Sequence, residues 1–164
     1  MSRRPSRLRA FLENAGRAAG LAEHGIVDSD PGFGGIEGKK IVVVSTEPEF
    51  ANVLISHAVG VAGRLGARVV ALTVGRPEEE LPAGHKARAR ELFLARADKS
   101  AEEFRRRARE AGVVFQHVVR FGRAADVVES ECSRLRRVEF VLTLKEQHSR
   151  EGFRVSMPLF EVAR

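Results

Sequence analysis

The chain contains no tryptophan, no tyrosine and one cysteine, Cys132. A single thiol excludes an internal disulfide framework and a cysteine metal cluster. Its spacing from Val128 and Leu135 on a helical pattern marks it as a core thiol rather than a nucleophile. The ten phenylalanines are mostly spaced like core residues, so the aromatic platforms on which single-stranded nucleic acids stack are missing. No apolar run approaches the ~20 residues of a membrane-spanning helix. The basic N-terminus also lacks the apolar stretch of roughly 7–15 residues that a secretory signal needs, and a cytoplasmic location is expected. The five histidines, His24, His57, His85, His117 and His148, share no metal-ligand spacing. There is no G-x-S-x-G elbow, P-loop or paired-carboxylate motif, so no enzymatic activity is expected.

What is present is a basic chain of 164 residues, long enough for one domain and an appendage, with a net charge of +6 and a pI near 10.4. That charge permits an acidic partner without naming one. Residues 1–38 differ in composition from the remainder. Arg3, Arg4, Arg7, Arg9 and Arg17 face only Glu13 in the first twenty residues, while Leu8, Phe11, Leu12 and Ala15 recur at helical spacing. This pattern predicts a short basic amphipathic helix that packs on its own domain or on a sister subunit; attachment to nucleic acid or membrane is the alternative. A turn-rich linker follows, from Asp28 to Gly35. Its glycines precede the first strand instead of following it, which rules out a dinucleotide fingerprint.

From Lys39 onward the chain reads as an α/β domain. Ile41 to Val44 is a β-branched run too short for a helix, the mark of a central strand buried on both faces. Thr46 and Glu49 stand at capping-box spacing with Pro48 in the first turn, and predict a helix with Phe50, Val53, Leu54, Ala58, Val61, Ala62 and Leu65 on its buried stripe. His57 lies on that stripe and is read as a core or interface residue, as is His117 in the third strand. Gly66 ends the helix, and Ala67 to Val74 forms a second buried strand. A long helix over 86–111 buries Phe93, Ala97, Ala101, Phe104 and Ala108, with Glu102–Arg106 and Glu103–Arg107 pairs on its solvated face. Then come a strand over 113–120, a helix over 124–137 and a strand over 139–144. This order makes an open, mainly parallel twisted sheet with helices on both faces, Rossmann-like in kind. Such sheets bind ligands where the strand order reverses, here beside Ser45, Thr46 and Glu47 and the stretch Thr143 to Gln147.

With four strands placed, residues 39–164 resemble the universal stress protein family. The resemblance rests on Lys40-Ile41-Val42-Val43-Val44, on Gly66-Ala67-Arg68 leading into the second strand, and on Gly122-Arg123-Ala124-Ala125-Asp126 opening the third helix. Some members of that family bind ATP through Gly, two residues, Gly, nine residues, Gly, then Ser or Thr, running on from strand four. Aligned without gaps, those positions hold Thr143, Glu146, Ser156 and Met157, and the family's Asp after strand one falls on Ser45. Side chains in place of glycine keep the backbone away from phosphates, and Glu146 sets a carboxylate beside them. The resemblance therefore implies a degenerate nucleotide site at Ser45, Thr46, Thr143, Glu146 and Ser156, with no cofactor and ATP as the alternative. It implies a non-catalytic, dimerising module of the stress response acting through a protein partner, with nucleotide binding as the alternative. The same alignment makes residues 156–163 the start of a last helix, in preference to a fifth strand over 155–162 that could only just be reached from strand four. In that family the fifth strand commonly carries the dimer contact. Without it, Phe140-Val141-Leu142 is the expected sheet edge and the expected homodimer contact.

Overall fold

The apolar run Ile41–Val44 lies at the centre of the structure, a computed structural model that describes residues 38–164. The expected N-terminal helix and glycine-rich linker lie outside the described residues. Strands β1 (Lys40–Ser45), β2 (Arg68–Gly75), β3 (Phe115–Phe121), β4 (Val138–Leu144) and β5 (Leu159–Val162) form one sheet in the order β3-β2-β1-β4-β5. Every pairing is parallel. Helices α1 (Asn52–Leu65) and α2 (Lys86–Glu110) follow β1 and β2, and α3 (Ala124–Arg134) and α4 (Lys145–Glu151) follow β3 and β4.

All six residues of β1 are buried, because both faces of the sheet are covered. Ile41 and Val43 point into a cluster with Leu54, Ala58, Phe104 and Phe115, whereas Val42 and Val44 join Val128, Cys132 and Phe153 on the opposite face. The two-residue period of a strand is what lets one continuous apolar run serve two cores. Phe104 is wholly buried and meets Phe50 edge-on at 5.3 Å and Phe115 at 4.8 Å. A fully buried side chain of this size contributes about 1.5–3 kcal/mol from area alone.

The expected capping box does not form. α1 starts at Asn52, its N-cap is Ala51, and no side chain caps it. Instead the Ser45 hydroxyl donates to the Glu47 carbonyl at 2.7 Å, and the Phe50 N–H donates to Ser100 Oγ on α2 at 2.8 Å. These bonds hold residues 46–51 in a loop that drives Phe50 into the core, and burying a phenyl ring outweighs a capping box of about 1 kcal/mol. The later start turns the helix: Leu54, Ile55, Ala58 and Ala62 are buried, while Val53 and Leu65 are exposed. His57 is exposed as well, not a core residue. On α2 the expected Glu102–Arg106 and Glu103–Arg107 pairs are replaced by one arginine between two carboxylates, Arg106 with Glu103 and Glu110, both at 2.6 Å. α3 ends at Arg134, three residues early, since Leu135 turns extended and Arg137 takes a left-handed φ of 58°.

The C-terminus corrects the sequence reading most. Residues 159–162 are a strand, not a helix, and β5 covers the β4 edge: Val141 pairs with Leu159 and Leu142 with Phe160. β4 is therefore not the dimer edge. The crossover has length enough because it begins at Lys145 as a short helix and continues to Pro158. Gly152, with φ 63°, ends α4, and Phe153, Val155, Met157 and Leu159 then alternate onto the α3 core. Pro158 sits just before β5, where its carbonyl accepts from the Val141 N–H at 2.8 Å and its missing N–H costs nothing.

Candidate functional site

The chain lays β1, β2 and β3 outward in one direction and then returns to place β4 on the other side of β1. The strand order reverses between the C-terminal ends of β1 and β4, the position where a doubly wound sheet opens a crevice. Ser45 ends β1 and Thr143 is the last residue but one of β4, and both are fully buried. The Ser45 hydroxyl is taken up by the 46–51 loop, where it also accepts from the Glu47 N–H at 3.2 Å. Thr143 Oγ1 has no hydrogen-bond partner among the described residues.

The gap between these strand ends is filled by Gln147, which the sequence reading placed in the crevice without a role. Gln147, in the first turn of α4, is 2 % exposed and its Oε1 accepts from the Thr46 N–H at 2.9 Å. Glu146, its neighbour, points outward. Ser156 is drawn away altogether: its N–H donates to Glu129 on α3 at 2.8 Å, and its hydroxyl bonds the same carboxylate. Those bonds hold the Glu129 carboxyl below the usual carboxylate range. Of the five expected positions, Ser45, Thr46 and Thr143 thus meet at the crevice, Glu146 stands outside it, and Ser156 belongs to a contact between α3 and the last crossover.

What remains open is a cavity of about 680 Å³ displaced toward β2 and β3. Its wall carries Thr46, Arg76, Arg123 and Arg150 together with Glu80, Glu151 and Phe153. Arg150 also reaches Glu47 at 3.1 Å. Gly75 and Gly122 bring the two strand ends together, the Gly122 N–H donating to the Gly75 carbonyl at 3.0 Å. A Cβ on Gly75 would stand 2.4 Å from the Phe121 ring, so only glycine fits. The signal for these arginines was present in the sequence: Gly75-Arg76 and Gly122-Arg123 both close predicted strands.

His117 and His148 are hydrogen-bonded, and Cys132 is buried. His117 is buried and bonds Thr73 Oγ1 at 2.9 Å; burial, then Arg105, lowers its pKa to about 3 and keeps it neutral. Cys132 is buried on α3, and desolvation, then Glu129 and Glu131, push its thiol up to about 11. His148 on α4 bonds the Glu161 carboxylate through Nδ1 and the Phe153 carbonyl through Nε2, at 2.7 Å. No group of three or more histidine, cysteine, aspartate or glutamate side chains among the described residues is arranged to hold a metal ion.

A parallel sheet in the order 3-2-1-4-5, with a crevice at the reversal, defines the class of doubly wound α/β proteins. Residues 38–135 match the universal stress protein family, and the chain belongs to it. Among solved structures, it is similar to a universal stress protein family member from Burkholderia pseudomallei, with a TM-score of 0.62, 13% identity, and coverage of 76% of this chain and 95% of that one. It is also similar to the universal stress protein UspA from Lactobacillus plantarum, with a TM-score of 0.55, 12% identity, and coverage of 77% and 98%. A third, a universal stress family protein from Arabidopsis thaliana with AMP bound, has a TM-score of 0.51, 14% identity, and coverage of 77% and 92%. No curated protein matches the chain. At these identities the likeness is one of fold.

Proposed function

We propose that the chain is a non-catalytic, dimerising universal stress protein that acts in the stress response through a protein partner and binds ATP poorly. One observation carries this reading: the Gln147 side chain occupies the strand reversal, bonded to the Thr46 N–H at 2.9 Å. A triphosphate seated there would have to break that bond and approach the Thr143 Cβ and the Glu146 carboxylate, where a phosphate cradle needs bare backbone N–H groups. The absence of catalysis is supported by the state of the candidate reagents, a neutral buried His117 and a thiol at Cys132 that holds its proton. Titration calorimetry of the whole protein with Mg-ATP is expected to give nothing tighter than the high micromolar range, about 5–6 kcal/mol. A submicromolar constant would overturn the proposal.

A second reading has its own support. The cavity has the volume of a small-ligand site, and Arg76, Arg123 and Arg150 line it together with Glu80 and Glu151. A mononucleotide could enter it without displacing Gln147, and one similar structure, the Arabidopsis protein, has AMP bound. Titration with AMP separates the readings. Micromolar AMP binding that is lost in Arg123→Ala while ATP stays weak would favour a mononucleotide site over a purely protein-binding role.

A further inference from the structure

At the end of the sheet opposite the crevice, where the strands begin, the surface carries a cluster of cations with the carboxylate of Glu139 exposed among them. Lys39, Arg136 and Arg137 are exposed around the start of β1 and β4, and Arg68 begins β2 beside them. Between them Lys40 is buried, and its ammonium donates to the Arg136 carbonyl at 2.6 Å. Burial first, then the neighbouring Arg68 and Arg137, lower its pKa. Cations are ordinary in the last turn of a helix, and Arg64, Arg109 and Arg134 are accounted for in that way. Lys39, Arg136 and Arg137 are not: they lie outside helices, and Arg137 takes a left-handed backbone conformation that side chains avoid.

The same end has an apolar projection. Leu65, at the foot of α1, is 44% exposed, whereas Leu54, the other leucine of that helix, is buried. Among the described residues, Leu65 is the exposed large hydrophobic side chain at the foot of α1, and a leucine offers no platform for base stacking.

We infer that this end of the sheet is a docking surface for an anionic lipid bilayer, with Lys39, Arg136 and Arg137 over the headgroups and Leu65 at the acyl boundary. Clustered cations beside an apolar tip match an interfacial surface, whereas a nucleic-acid surface would gain nothing from Leu65. This role is independent of the nucleotide crevice, which faces the other way.

The test uses the full chain and vesicle flotation. Vesicles of phosphatidylcholine mixed with phosphatidylserine are expected to carry the protein at low salt, and phosphatidylcholine alone is not. Raising salt should release it within the screening range of exposed charges. In the double variant Lys39→Gln, Arg136→Gln, binding is expected to weaken by about 25-fold, since each cation near an anionic leaflet contributes about fivefold. Both side chains are exposed, and an unchanged circular dichroism melt shows that the variant folds. Leu65→Ser should weaken binding in phosphatidylserine vesicles without altering salt dependence. The inference fails if the wild type ignores phosphatidylserine, if the double variant binds as well as wild type, or if single-stranded or duplex RNA competes the protein off the vesicles.

Discussion

At the scale of a residue, His148 carries the clearest chemical consequence. Both its ring nitrogens face groups that can only accept, the Glu161 carboxylate and the Phe153 carbonyl. Only the doubly protonated ring supplies both donors. The hydrogen bond to Glu161 is the main cause that raises its pKa, burial opposes it, and the Phe153 carbonyl adds to the rise. Because the folded protein then holds this proton more tightly than the unfolded chain, the stabilisation is complete below the ordinary value of 6.5. It is lost as pH rises through the raised folded value. Thermal midpoints of wild type and His148→Gln, compared from pH 5.5 to 8.5, should therefore converge toward the alkaline end, with the wild type ahead only on the acid side. Parallel curves would mean that the imidazole does not titrate in this bond. Gln147, the adjacent residue, works by geometry alone, since its amide holds the Thr46 N–H at every pH.

Among the elements, α1 and β5 differ most in what holds them. α1 is anchored by Leu54, Ile55, Ala58 and Ala62, and Leu54→Ala should cost about 2–5 kcal/mol in a denaturant titration. Arg106→Ala on the solvated face of α2 should leave the midpoint nearly unmoved; equal losses would mean that the buried faces are wrongly assigned. Strands β1 and β2 were legible because strands covered on both faces read as nearly continuous apolar runs, Ile41–Val44 and Val69–Val74. α4 was not: Lys145-Glu146-Gln147-His148-Ser149-Arg150-Glu151 buries only Gln147 and has no apolar stripe to announce it. β5 was hidden by Pro158 and by its edge position, where only Val162 is buried. The crevice was legible as far as strand ends can be counted, which placed Ser45, Thr46 and Thr143. Whether a glutamine one turn on faces solvent or a backbone N–H depends on where α4 starts, and no local pattern encodes that. Ser156 left the site for the same reason, since its partner Glu129 is on a different helix.

For the whole molecule, β5 is the sheet edge on the β4 side, and Phe160 stands on it 55% exposed, edge-on to Phe140 at 5.2 Å. An apolar edge strand invites pairing, and a second β5 laid antiparallel about a two-fold axis would cover it. Light scattering of the full chain is expected to give a dimer, and of Phe160→Lys a monomer with an unchanged melt. A monodisperse wild-type monomer at micromolar concentration would contradict this. The lone thiol has a consequence for the molecule as a whole. Cys132 is shut inside the α3 core and keeps its proton up to a pKa of about 11. A maleimide or iodoacetamide probe in solution therefore meets a reactive sulfur only in molecules whose α3 core has come apart. The labelling rate divided by that of a free thiol then counts the fraction open at any moment, and reads local stability without denaturant or heat.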